Sequence, residues 1–129
     1  MKQYKKYRNF CTKSGRLVVG GKSAEQNEEL VKKFIGKENI IMHTAKPGSP
    51  FCVIKGRANR KDVKEAAVFC ARYSHDWRDN KKNVLVHRFK GKHIYKNKKM
   101  KLGTFGIKKF KVIKVKKKDI LKFIEEEKK

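Results

Sequence analysis

Gly15-Arg16-Leu17-Val18-Val19-Gly20-Gly21-Lys22-Ser23-Ala24-Glu25-Gln26-Asn27-Glu28-Glu29-Leu30-Val31 is the stretch that decides how this chain folds. A turn glycine leads into the apolar triplet Leu17-Val18-Val19, and a glycine pair follows. Ser23 then stands three residues before Gln26, the spacing of a helix capping box. Leu30 and Val31, with Phe34 and Ile35 beyond them, supply one apolar helical face, and Gly36 marks its end. The stretch predicts a strand, a tight turn and a capped helix.

Gly21-Lys22-Ser23 also matches the tail of a nucleotide-binding loop, Gly-x-x-x-x-Gly-Lys-Ser/Thr. That motif needs a glycine where this chain has Arg16, and Gly15 is one residue early. Its strand must precede the first glycine, whereas Leu17-Val18-Val19 follows Gly15. Both mismatches argue against an NTPase. A helix start beside Lys22 retains the capacity to hold one anion, such as an RNA phosphate, although a plain strand-to-helix turn explains the same residues.

Working outward, aromatics at Tyr7 and Phe10 precede the turn Thr12-Lys13-Ser14-Gly15, so the stretch before Cys11 pairs with Leu17-Val18-Val19 as a hairpin. Asn39-Ile40-Ile41-Met42-His43 and Phe51-Cys52-Val53-Ile54 read as strands around the turn Pro47-Gly48-Ser49-Pro50. Asp62 with Glu65 has the spacing of a second capping box, and Ala66, Cys70, Tyr73 and Trp77 recur at helical period. Val84 to Phe89 and His93-Ile94-Tyr95 flank Lys90-Gly91 as a second hairpin. Phe105 to Val115 alternates apolar residues with lysine until Val112-Ile113, which suggests a bulge. Asp119 opens a short final helix. The expected fold is α+β: a single domain over residues 1–129 with a mixed, mostly antiparallel sheet, two main helices and a short C-terminal helix.

Charge narrows the function. The 37 Lys and Arg face only 12 Asp and Glu, a net charge of +25. A compact chain so charged repels itself unless a polyanion neutralises it. Nucleic acid is the natural partner, ribosomal RNA included, and charge alone does not separate RNA from DNA. An anionic membrane surface fits less well, since the basic segments read as strands and loops rather than amphipathic helices. Residues 78–118 hold 17 Lys or Arg and one acid, Asp79, so this stretch supplies +16 of the total. Its lysine-rich loops alternate with Phe89, Tyr95, Phe105 and Phe110. Lysines suit phosphates and an exposed ring stacks an unpaired base, while at strand period most of these rings belong to a core.

Chemistry-bearing clusters are sparse. Cys11, Cys52 and Cys70 with His43, His75, His87 and His93 form no CxxC or HxxxH pair, so no metal is expected. The odd cysteines, the lack of an apolar leader and the lack of a long apolar run point to a reducing cytoplasm. His43, Ser49 and Glu65 contain the side chains of a base, nucleophile and orienter, but nothing in their spacing requires that use.

Several blocks in order resemble the NFACT-R domain, the RNA-binding module of the NFACT proteins of ribosome-associated quality control, which also occurs alone. They are Tyr7-Arg8-Asn9-Phe10, Gly15 to Gly21, Gln26-Asn27-Glu28, Ile41-Met42-His43, Gly48-Ser49, Glu65-Ala66-Ala67, Tyr73-Ser74, and Lys96 with Gly103-Thr104-Phe105. The loop Thr44-Ala45-Lys46-Pro47-Gly48-Ser49-Pro50 is the form associated with stand-alone members. The resemblance implies non-catalytic binding of structured RNA, tRNA or rRNA and through it the ribosome, in translation, ribosome quality control or tRNA modification, with no cofactor. A small basic ribosomal structural protein and a subunit of an RNA-modifying enzyme are the alternatives. Arg57, Arg60, Lys61, Lys96, Lys98, Lys99 and Lys101 are the expected phosphate contacts. Gly20, Gly21, Lys22, Asn27, His43, Gly48 and Ser49 are second-tier candidates by family match. Oligomeric state is not legible.

Overall fold

The computed structural model describes residues 4–129, which form eight strands and four helices. Six strands make one sheet. β1 (Arg8–Cys11) and β2 (Leu17–Gly20) form the expected hairpin, and β2 pairs with β4 (Cys52–Ile54). β4 pairs with β3 (Ile40–Thr44), β3 with β5 (Val84–Lys90), and β5 with β8 (Lys111–Val115). The order is β1-β2-β4-β3-β5-β8, antiparallel throughout. A separate two-stranded ribbon joins β6 (Ile94–Tyr95) to β7 (Gly106–Ile107).

Both faces of the central strands are covered, which explains why they read as continuous apolar runs rather than alternating ones. Val18, Met42, Cys52 and Ile54 point to one face, into a core completed by α2 (Arg60–Arg72), α3 (His75–Asn80) and α4 (Lys117–Glu127). Val19, Ile41 and Val53 point to the other, against Leu30, Val31 and Phe34 of α1 (Ala24–Lys32) and the turn after it, with Ile94 of the ribbon alongside. Strand alternation thus sorts adjacent residues of one run into two cores.

Details depart from the sequence expectation for local reasons. α1 ends at Lys32, and Gly36 lies in the following turns with φ +87°. The second capping box is Asn59 with Asp62, three residues before the predicted pair: Asp62 N donates to Asn59 Oδ1 at 2.8 Å and Asn59 N to Asp62 Oδ2 at 3.0 Å. The Ala66-to-Trp77 periodicity spans two helices. Ser74 breaks it by donating to Ala71 O at 2.7 Å and accepting from Trp77 N at 3.1 Å, so it restarts the chain as the α3 cap.

The second hairpin does not form, because β5 takes β3 and β8 as neighbours while β6 pairs with β7. A 3-10 turn at Gly91–His93 separates them. There, Gly91 N donates to Asn39 O and Gly36 N to Gly91 O, tying the turn to the end of the α1 segment. No bulge occurs at Val112-Ile113 either. The β5–β8 register is one-to-one from Arg88↔Lys111 to Val84↔Val115, so Ile113 faces the core and Val112 faces out.

Candidate functional site

A cleft of about 550 Å³ opens where the C-terminal end of β2, the N-terminus of α1 and the Pro47–Pro50 loop converge. Six of the second-tier candidates line it: Gly21, Lys22, Asn27, His43, Gly48 and Ser49. Gly20 sits behind it, paired with Arg8 and Cys52 in the sheet. Arg8, Tyr73, His75, Gly103 and Thr104 also line it. These were absent from the expected site residues. All but His75 lie within the sequence blocks that carry the family resemblance, which was the signal available for them.

Asn27 builds the cleft floor. Its Oδ1 accepts from Phe51 N at 3.1 Å and its Nδ2 donates to Ser49 O at 3.5 Å, so one amide fastens α1 to the β3–β4 loop. A β-carbon on Gly21 would stand 2.1 Å from that Oδ1, which is why a glycine precedes the helix here. Gly48 has φ +86°, and a β-carbon on it would fall 2.3 Å from His75 Nδ1. Its carbonyl accepts from His75 N at 2.7 Å, docking the loop on α3.

Ser49 is occupied structurally. Its hydroxyl accepts from Thr44 N at 3.1 Å and donates to Pro50 O at 3.0 Å. Glu65 lies elsewhere, accepting from Lys13 N at 3.1 Å on the β1–β2 turn. His43, Ser49 and Glu65 therefore do not assemble as base, nucleophile and orienter.

His43 Nδ1 donates to Thr44 O at 2.8 Å, which fixes the neutral tautomer and leaves Nε2 as an acceptor on a cleft-lining ring. Burial pushes the imidazole below its ordinary value. The Thr44 bond opposes that shift, and His87, paired with it across the strands, adds to it. The ring lies 4.4 Å from that of Phe51, centroid to centroid.

The cationic side of the cleft is Arg8 and Lys22. The Arg8 guanidinium stands 4.1 Å above the Tyr73 ring, and neither cation forms an ion pair among the described residues. At the α1 start, Ser23 Oγ accepts from Gln26 N at 3.2 Å, while Gln26 Oε1 reaches back to Lys22 N at 2.9 Å. The helix dipole adds partial positive charge at this end. Guanidinium, ammonium and a helix N-terminus around one concavity suit an anion.

The expected basic residues divide among several places. Lys98, Lys99 and Lys101 are exposed in the loop that runs into Gly103 and Thr104 at the cleft rim. Lys96 turns inward, donating to Glu28 Oε1 at 2.9 Å, Lys101 O at 2.7 Å and Thr104 O at 2.7 Å. Glu28 also accepts from Gly103 N at 2.8 Å and pairs with Lys32 at 3.0 Å. Burial alone would raise its carboxyl, but these donors overcome that and hold it at about 2. Arg57, Arg60 and Lys61 are exposed beyond the other end of β4, remote along the strand from the Pro47–Pro50 loop. Arg57 lines a second concavity with Arg16, and Arg60 a groove against β8.

No group of His, Cys, Asp and Glu among the described residues could hold a metal ion. No helix among them is long and apolar enough to cross a membrane.

Residues 6–109 match the family described as the NFACT protein RNA binding domain. The archaeal Rqc2 homolog aRqcH of Methanocaldococcus jannaschii is 35% identical over 80 residues, covering 60% of this chain and 12% of that protein. The ribosome quality control complex subunit NEMF of Homo sapiens is 28% identical over 78 residues, covering 57% of this chain and 7% of that one. The chain thus spans a small part of the length of the curated relatives it matches. Among solved structures, the C-terminal part of the fibronectin/fibrinogen-binding protein from Streptococcus suis superposes with a TM-score of 0.76 at 22% identity. That match covers 85% of this chain and 45% of the other, and carries the fold alone.

Proposed function

The chain belongs to the NFACT RNA-binding domain family, and from that premise we propose that it is a non-catalytic module for structured RNA, tRNA or rRNA. Its partner assembly is the ribosome and its setting ribosome quality control in the cytoplasm, in keeping with the names its relatives carry. The observation that carries this reading is the cleft, where Arg8, Lys22 and the α1 N-terminus converge on one concavity in a chain of net charge +25. A phosphate there is met by two cations that no carboxylate neutralises. His43 Nε2 accepts a hydrogen bond from a ribose hydroxyl or base N–H beside it. The exposed Lys98, Lys99 and Lys101 extend the same electrostatic surface, and Arg57, Arg60 and Lys61 supply a further hold.

The non-catalytic part of the reading follows the family's description as an RNA binding domain. Anisotropy of labelled tRNA at rising salt tests the proposal. Counterion release predicts that log K falls linearly with log salt, with a slope tracking the phosphates contacted. No binding of any RNA at about 50 mM salt would overturn it.

A further inference from the structure

α1 covers only part of its side of the sheet. On that face β3 presents His43, β5 presents Leu85 and His87, and β8 presents Val112 and Lys114; the register pairs His43 with His87, His87 with Val112 and Leu85 with Lys114. Toward the β8 edge the face is open: Leu85 is 46%, Val112 55% and neighbouring Phe110 46% exposed. Phe110 lies stacked on His87 with ring centroids 4.1 Å apart and planes 25° apart. An aromatic pair and two aliphatic side chains stand uncovered on a rigid strand surface.

What surrounds them identifies an occupant. No acidic residue occurs between Asp79 and Asp119, so β5, β6, β7 and β8 carry none. Lys114 stands on the same face and Lys108 and Lys109 lead into Phe110; all three are exposed and make no ion pair among the described residues. A second copy of the chain docking by this face would bring like charge against like charge. A polyanion with flat apolar faces satisfies both the lysines and the rings, and an unpaired nucleic-acid strand has that chemistry. His43 belongs both to this face and to the cleft, so the two surfaces are continuous.

We propose that the open β5–β8 face is a stacking platform for unpaired bases in the single-stranded segments of such a structured RNA, with Phe110 and His87 as the stacking rings and the phosphates led to the cleft past His43. This rests on the RNA-binding reading and deepens it by naming the strand state of the RNA. A base laid on Phe110 extends the existing His87–Phe110 stack, and the flanking lysines follow the backbone without reading sequence.

The test compares an unstructured RNA oligonucleotide with an RNA hairpin of equal charge, each binding wild type and Phe110→Ala, with thermal melting confirming an intact fold. Phe110→Ala is expected to weaken single-strand binding roughly 5- to 50-fold while leaving hairpin affinity and its salt slope unchanged. Phe110→Tyr, which keeps the ring, should restore it and guards against an effect on folding. A fluorescent adenine analogue in the strand should be quenched by wild type and not by Phe110→Ala. Equal single-strand affinity in both proteins, with hairpin binding intact, would overturn the platform and leave the RNA-binding reading standing. Failure of wild type to bind either RNA would overturn both. Equal, Phe110-dependent binding of the deoxy oligonucleotide would overturn the assignment to RNA, and dimers abolished by Val112→Lys would show the face to be a protein interface instead.

Discussion

The Lys96 ammonium lies 2.9 Å from Glu28 Oε1, across 68 residues of chain, and holds the basic loop against the flank of α1. Both side chains are mostly shielded from water, with 17% and 10% exposure, so removing one partner strands the other. Lys96→Met is expected to destabilise the fold by about 2 kcal/mol, measured by urea unfolding, far more than any exposed lysine of the same loop.

Glu28 sets an acid limit on that contribution. Its carboxyl is held at about 2, below its ordinary 4.5, so the unfolded chain binds the proton more readily. The stabilisation is full above pH ~4.5 and is lost as pH falls toward ~2. The stability difference between wild type and Glu28→Gln should therefore be flat at neutral pH and shrink through that window. A difference that grew on acidification would contradict the assignment.

Gly48 and Gly36 share a left-handed φ, +86° and +87°, but only Gly48 has a neighbour where a β-carbon would go. Gly36→Ala should cost about 1 kcal/mol for backbone strain alone. Gly48→Ala adds the collision with His75 and should cost roughly 1–3 kcal/mol, with the cleft loop displaced. Equal losses in urea unfolding would mean that the His75 contact carries no weight.

His43 is expected to be neutral at pH 7 with its proton on Nδ1, a tautomer that nitrogen-detected NMR reports directly. Burial depresses its pKa, so protonation is resisted by the fold. Its contribution to stability is present above about pH 6.5 and is lost as pH falls through the depressed value. An imidazole titrating above 6.5 would overturn this environment.

Replacing Lys98, Lys99 and Lys101 with glutamine should leave the melting temperature unchanged. It should also lower the magnitude of the log K against log salt slope for RNA by about 2 to 3, because each phosphate left without its lysine keeps its counterion.

Much of the scaffold was legible because it is local. The Thr12–Gly15 turn, the Ser23 cap and the β1–β2 hairpin are specified by residues close in sequence. Pairings that depend on distant strands were not. His93-Ile94-Tyr95 looks like a hairpin partner for β5, but β5 meets β3 and β8 instead, and nothing near Lys90-Gly91 encodes that competition. The pair Val112-Ile113 looks like a broken period because both residues are apolar. One lines the core and the other lies on an uncovered face, so the alternation is intact and only its outward member is unusual. Lys96 is indistinguishable in sequence from Lys98, Lys99 and Lys101. Its inward turn depends on Glu28, 68 residues earlier in the chain.

The last helix has a consequence for how the domain comes apart. β8 is one edge of the sheet, and α4 leaves it to cross over α2, where Phe123 meets Phe10 of β1, the opposite edge, with ring centroids 5.2 Å apart. At its end Glu127 accepts from Arg72 Nε and the Tyr73 hydroxyl, each at 3.0 Å. α4 thus acts as a strap fastened at both rims of the sheet. Neither rim can peel away while the strap holds, and loss of the strap frees both together, so amide exchange at β1 and β8 should follow a single opening event rather than two independent frayings.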